Sequence, residues 1–312
     1  MKALIVANAV VDETYAVETL PGVGESLIGE FRTRDVGGKG TNVGVIMARC
    51  GIDTRLVAVV GDDERAAFVR ARLDVEPLRT EFVVSPNFAT DLSLVYATAD
   101  GDNAIVTTVA ATRSLTLGQA LAGLDACEAG DTLVLQGNLL AALNLGLIEA
   151  ARERRLHIAF NPSPLMDWSA EALARVDTVF VNAGEARALT GGEGESAVRA
   201  LLERGPSQAV LTLGPEGALC GRRTGQGTSR EEVEIERMAA AFVDVLDTTG
   251  AGDTFMAVAL ASAARRRRGI DTLALAHAAR ASAITVGRYG TLAAFPSAAE
   301  LDALLLDTDL PG

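Results

Sequence analysis

The 312-residue sequence predicts a doubly wound α/β protein, with a mostly parallel sheet flanked by helices. Short apolar runs that read as fully buried strands alternate with helical patterns through most of the chain, the signature of βαβ units. Apolar residues make up 49% and charged residues 22%, close to soluble globular averages, which argues against disorder, collagen-like repeats and coiled coil. The length leaves room for two ordinary domains or for one large α/β domain with an accessory element.

The run at residues 3–7, ALIVA, meets Asn8 and then Asp12. It is too short for the apolar region of a signal peptide and reads as the first strand. Further strands are expected at 55–60, 132–135, 157–160, 178–181 and 209–213. Helices are expected to begin near Thr41, Glu64, Leu117, Leu139, Asn182, Glu195, Ala251 and Thr272, with another after Pro296. The longest apolar stretch, 133–151, is interrupted by Gln136, Asn138 and Asn144 and cannot span a bilayer.

Two regions break the alternation. Residues 13–36 carry Pro21, Gly22, Gly24 and Gly29 among alternating polar and apolar positions, and 81–108 read as strand-turn-strand around Asp100 to Asn103. Together they predict a small antiparallel sheet beside the main one. No internal repeat or low-complexity linker divides residues 1–312, so this sheet is expected as the lid of a single domain. Its exposed apolar face is expected to supply a homodimer surface.

The 28 basic residues are outnumbered by 41 acidic ones, giving a net charge of −13. No positive stripe is available for a polyphosphate, so nucleic acid is not an expected partner, nor is a membrane. Cys50, Cys127 and Cys220 are far apart and form no C-x-x-C pair, which points to a reducing, cytoplasmic compartment. His157 and His277 are the only histidines and neither sits in a motif, so packed or surface roles are expected. Arg265 to Arg268 read as a solvated helix C-terminus and Trp168 as a packing residue.

The strongest local signal is DTTGAGDTF at 247–255, leading into an apolar helix pattern. Glycines at a helix start leave its first N–H groups uncovered, and with the helix dipole these make an anion site suited to phosphate. Asp253 falls in the first turn, within reach of a hydroxyl attacking that anion. The second signal is DVGGKGTN at 35–42, where glycines allow close backbone approach and Asn42 offers both donor and acceptor to a hydroxyl-rich molecule. Val43 and Phe255 break any G-x-G-x-x-G reading, and the Walker A spacing is absent, which disfavours dinucleotide and P-loop folds.

In this order, about two hundred residues apart, the two elements resemble the paired signatures of the ribokinase-like (PfkB-type) carbohydrate kinase family. The resemblance extends to Asn8 and Asp12, Gly24-Glu25, Gly61-Asp62-Asp63, Asn161-Pro162, Asn182 to Glu185, Thr212 to Gly214 with Gly217, and Arg288 to Gly290. It implies a ribokinase-like α/β fold and transfer of the γ-phosphoryl group of ATP to a primary hydroxyl of a sugar, nucleoside or related polyol. In the family, the carboxylate matching Asp253 is the general base, and backbone N–H groups matching Gly250, Ala251 and Gly252 form the anion hole. Asp12, Gly38 and Asn42 match sugar-binding positions. Asn182 and Glu185 match the element that acts near the phosphates, with Glu185 on Mg²⁺ through water. Thr212, Gly214 and Gly217 match the nucleotide-bordering loop, and Asp247 matches a monovalent cation site, implying K⁺.

The chain departs from ribose-specific members in two places. It has Thr41-Asn42-Val43 after the glycines, where those members commonly have Ala-Asn-Gln, and Gln136-Gly137-Asn138 where a carboxylate is common. Two alternatives therefore stand beside a free sugar: a phosphorylated ketose (fructose 1-phosphate, fructose 6-phosphate or tagatose 6-phosphate type), or sugar binding without turnover. A sugar phosphate calls for a basic cluster, for which Arg32, Arg34, Lys39 and Arg49 are the candidates.

Overall fold

A computed structural model describes residues 1–98, 103–224 and 232–308. These residues form thirteen strands in chain order: β1 (Lys2–Val6), β2 (Val10–Ala16), β3 (Glu30–Gly37), β4 (Asp53–Val60), β5 (Arg79–Val84), β6 (Leu92–Ala97), β7 (Asn103–Thr107), β8 (Thr132–Gln136), β9 (His157–Asn161), β10 (Thr178–Asn182), β11 (Gln208–Thr212), β12 (Ala218–Thr224) and β13 (Glu232–Met238). Nine of them make one sheet in the order β13-β12-β11-β10-β9-β8-β1-β4-β5. Strands β1, β4, β5 and β8 to β11 run parallel, and β12 and β13 close one edge antiparallel.

Both faces of this sheet are buried, which is why its central strands read as continuous apolar runs. In β1 the alternation assigns each side chain a face. Ala3 and Ile5 join a core with Val45, Ile46 and Met47 of helix Lys39–Arg49 and Met256, Ala257 and Leu260 of helix Ala251–Arg266. Leu4 and Val6 join the opposite core with Leu124, Leu143, Leu147 and Phe160. Trp168 packs its ring on Phe160, 5.7 Å between centroids, as a core residue. His277 is buried between the Ser262 hydroxyl (2.8 Å) and the Asp307 carbonyl oxygen (2.7 Å), and His157 meets the Thr178 hydroxyl at 3.0 Å. His277 is thus packed, whereas His157 is partly exposed. Arg265 and Arg266 end their helix in ion pairs with Asp302 and Asp271.

The separate small sheet has the order β3-β2-β6-β7. Its outer pairs are antiparallel, whereas the central β2–β6 pair runs parallel. Its members differ in detail from the sequence expectation. Residues 81–84 belong to β5, where Phe82 and Val83 pair parallel with Ala58 and Val59 of the main sheet. An edge strand buries only one side, so its alternating pattern resembles that of a hairpin strand. The turn expected around Asp100 lies largely outside the described residues. The β12–β13 hairpin was not anticipated, because the alternation of EVEIERM at the sheet edge carries no long apolar run.

The chain crosses over between β1 and β8. It builds β4 and β5 on one side of β1, then returns to place β8 on the other. Such a reversal leaves a crevice at the carboxyl ends of the two strands, where ligands of open α/β sheets bind. Asn8 follows β1 there and Asn138 follows β8, and the Asn138 side-chain amide donates to the Asn8 side-chain oxygen. No helix of the described residues is long and apolar enough to cross a membrane.

Candidate active site

Two glycine turns converge above this crevice. The first ends β3 and opens helix Lys39–Arg49; the second opens helix Ala251–Arg266. Asn42 Nδ2 donates to Asp253 Oδ2 at 2.8 Å, and both residues are buried. Asn42 Oδ1 has no protein partner, an acceptor held ready where a hydroxyl can donate. Burial pushes the Asp253 carboxyl above the usual carboxylate range. Lys39 and the Asn42 hydrogen bond pull it back, and the charge of Glu185 pushes it further up. A carboxylate whose value is raised binds a proton more readily than a free one.

Gly38 begins the first turn at φ 106°, and a side chain on it would run into the Asn8 carbonyl oxygen. That oxygen also accepts from the Thr41 hydroxyl at 2.7 Å, so the turn is seated on the end of β1. Asp12 comes from β2 of the small sheet and sits against Gly37. Burial raises its carboxyl from 3.8 to about 7; a hydrogen bond with Ser93 lowers it, and the nearby charges of Asp35 and Asp253 raise it. Asp12, Gly38, Asn42 and Asp253 thus form one cluster drawn from both glycine turns and the small sheet.

At the second turn, Gly250 has φ 75°, and a Cβ there would lie 2.5 Å from the Phe295 ring. The helix has no side-chain cap. Ala251 N–H leans back to the Thr248 carbonyl at 3.3 Å, while Gly250, Gly252 and Asp253 N–H find no acceptor among the described residues. Open space lies over Gly252. The uncovered donors are therefore those of Gly250 and Gly252, both among the expected Gly250, Ala251 and Gly252, together with that of Asp253. Asp247 accepts from Thr249 N–H (2.9 Å) and Gly290 N–H (3.1 Å), tying this turn to a later segment.

Asn182 and Glu185 lie at the carboxyl end of β10 and cap helix Ala183–Thr190 reciprocally, with Asn182 N–H to Glu185 Oε2 at 2.9 Å and Glu185 N–H to Asn182 Oδ1 at 2.8 Å. Their spacing is thus also a capping box, a reading the sequence analysis did not make. They reach the cluster only through the effect of Glu185 on Asp253. Thr212 ends β11, and Gly214 and Gly217 bound the turn that leads to β12. No hydrogen bond joins these three to the cluster.

Of the four basic candidates, Lys39 stays close enough to Asp253 to lower its carboxyl, and the three arginines are committed elsewhere. Arg32 pairs with Glu30, and Arg34 with Glu13 and Glu64. Arg49 pairs with Glu76 at 2.7 Å. Sequence reasoning passed over Asp35, which is buried beside this site; the only signal was a carboxylate two residues before the paired glycines.

The pattern of the pfkB family of carbohydrate kinases matches residues 4–298. The chain belongs to this family. It is a carbohydrate kinase, a phosphotransferase with an alcohol group as acceptor. The kinase is 28% identical over 311 residues to a ribokinase of Staphylococcus aureus (strain COL), covering 96% of this chain and 98% of that one. It is 25% identical over 267 residues to a deoxyribokinase of Salmonella typhi, covering 82% and 83%. Its fold superposes on Arabidopsis thaliana ribokinase, solved with ribose and ATP, with a TM-score of 0.81 at 23% identity, covering 98% of this chain and 99% of that one.

The carboxylate cluster makes the kinase's stability pH-dependent in a predictable direction. With its folded value raised to about 7, Asp12 favours the fold while protonated, and this contribution fades as pH rises from about 4 through 7. Asp12→Asn is expected to melt close to wild type near pH 4 and at least about 2 °C above it near pH 8, read by thermal denaturation at both pH values. An equal difference at the two pH values would contradict this account of Asp12.

Proposed function

We propose that the kinase transfers the γ-phosphoryl group of ATP to a primary hydroxyl of an unphosphorylated sugar, nucleoside or related polyol. The Asn42–Asp253 contact beside Asp12 carries this reading. It presents short hydroxyl-binding groups around one proton acceptor, and the arginines that a sugar phosphate would need are already in ion pairs. The ribokinase and deoxyribokinase relatives support a sugar acceptor.

In this reading Asp12, the backbone at Gly38 and Asn42 hold the substrate hydroxyls. Asn42 Nδ2 fixes one oxygen of Asp253, leaving the other to take the hydroxyl proton as the substrate oxygen attacks the γ-phosphorus. The P–O bond to the β-phosphate breaks and ADP leaves. The uncovered N–H groups of Gly250, Gly252 and Asp253 meet the charge on the transferring group, in the open space over Gly252, with Ala251 N–H joining them when it leaves its long bond to Thr248. Thr212, Gly214 and Gly217 border the nucleotide, next to Asn182.

No three acidic, His or Cys side chains cluster to hold a metal among the described residues. Mg²⁺ therefore fits only as an ion carried largely by phosphate oxygens and water, with Glu185 reaching it through water. When bound it neutralises charge on the β- and γ-phosphates. Asp247 has no basic partner among the described residues and is met only by two backbone N–H groups, so its charge suits a monovalent cation such as K⁺. Arg288 pairs with Glu300 at 2.6 Å, leaving its backbone for that site. The small sheet acts as a lid that brings Asp12 and excludes water. A cytoplasmic location accords with ATP as donor.

Asp253→Asn is expected to lower kcat by about 10² to 10⁴ while sugar affinity changes little, because the amide keeps the shape but cannot accept the proton. Wild-type kcat in this variant would remove Asp253 as the base. Across a panel of free pentoses, hexoses and nucleosides set against fructose 1-phosphate, fructose 6-phosphate and tagatose 6-phosphate, kcat/KM should favour a free compound. A preference of about tenfold or more for a phosphorylated sugar would select the ketose-phosphate alternative. Thermal shifts without ADP release would select a non-catalytic binder.

The small sheet also leaves Phe31, Ile105 and Val106 more than half exposed, which supports a homodimer through this lid. Light scattering at micromolar concentration should give twice the chain mass, and Phe31→Asp should shift it toward one. A wild-type monomer would rule this out.

A further inference from the structure

Residues 290–296 touch both glycine turns and the far end of the helix between them. On the substrate side, the Thr291 hydroxyl donates to the Val36 carbonyl at 2.8 Å, and Asp35 Oδ2 accepts from Ala293 N–H at 3.0 Å. Asp35 Oδ1 takes Val36 N–H and Arg72, each at 2.9 Å. This single buried carboxylate therefore holds strand β3, helix Glu64–Leu73 and the 290–296 segment together. On the phosphate side, Gly290 N–H donates to Asp247, which also fixes Thr249, and the Phe295 ring packs on Gly250. Arg49, at the end of helix Lys39–Arg49, donates to the carbonyls of Leu292 (3.4 Å), Phe295 (3.2 Å) and Pro296 (3.1 Å). Thr291, Leu292, Phe295 and Asp35 are all nearly inaccessible to solvent, so these bonds compete little with water.

We propose that residues 290–296 are a strap that couples the two glycine turns, with Asp35 and Thr291 as the positioning residues that fasten it on the substrate side. The proposal rests on the nucleotide reading above. Buried polar contacts of this kind have few alternative partners, so the segments they join shift together or not at all. A ligand that orders the phosphate-side turn therefore lowers the cost of ordering the substrate-side turn, and linkage makes the effect mutual. Neither Asp35 nor Thr291 is assigned contact with the reacting atoms, and this role accounts for the burial of a charged side chain two residues before the paired glycines.

Amide hydrogen exchange with Mg-ADP tests the coupling without turnover or a known sugar. In the wild-type protein ADP should slow exchange at residues 248–256 by contact, and at residues 33–42 by about fivefold or more through the strap. In Thr291→Val, and independently in Asp35→Asn, protection at 248–256 should persist while that at 33–42 disappears. Thr291→Ser keeps the hydroxyl and should retain both; melting curves establish that each variant is folded. Equal protection of 33–42 in the wild type and the folded variants, as direct contact of ADP with that turn would produce, overturns the strap. So does its absence in the wild type while 248–256 is protected. No protection at 248–256 in the wild type overturns the nucleotide reading and the strap with it.

Discussion

The hydrogen bond from Asn42 to Asp253 spans 211 residues of sequence and brings the starts of two helices to one point. Each helix begins at a glycine with positive φ and no side-chain cap, whereas helices Ala183–Thr190 and Ala298–Leu306 carry reciprocal capping boxes. At the first two starts no side chain takes up the leading backbone donors; at the others the chain's own side chains do. The contact also fixes where Asp253 points, and in the proposed mechanism that sets where the substrate hydroxyl lies. The sheet, with its reversal between β1 and β8, delivers both helices to that place.

Concentrating carboxylates here has a cost. Asp35 and Asp253 both repel Asp12 in a poorly solvated space, and burial is the largest cause pushing Asp12 and Asp253 upward. The structure offsets this unevenly. Asp35 has an arginine and two backbone donors, Asp253 has Asn42 and the field of Lys39, and Asp12 has chiefly Ser93. With Ser93 as its hydrogen-bond partner, Asp12 rises to about 7. A polyol can supply the missing donors, because each hydroxyl can both donate and accept.

The arginines show how charge pairing narrows chemistry. Arg32 and Arg34 could be read from sequence as a two-pronged anion clamp on a lid strand, yet Glu30, Glu13 and Glu64 meet them. Arg49 instead caps the carbonyls of residues 292–296 and pairs with Glu76. Glu30 neighbours Arg32 on β3, but Glu13, Glu64 and Glu76 lie outside the elements of the arginines they meet, so local pattern alone could not assign them.

Local periodicity and turn chemistry by themselves determined the parallel α/β class, the central strands, most helix starts and the two glycine turns, since each is set by a few neighbouring residues: buried strands by apolar runs, helix ends by glycine. The pfkB signatures were legible for the same reason, being short and contiguous. Tertiary structure alone decided that 81–84 pair with β4 in the main sheet and that the donors left open at the second turn are those of Gly250, Gly252 and Asp253. It also decided that Asn182 and Glu185 cap one another, and that Asp35 and Thr291 tie one turn to the other. Strand partners, free donors and buried charges depend on what packs opposite them, and that neighbour lies tens to hundreds of residues away along the chain.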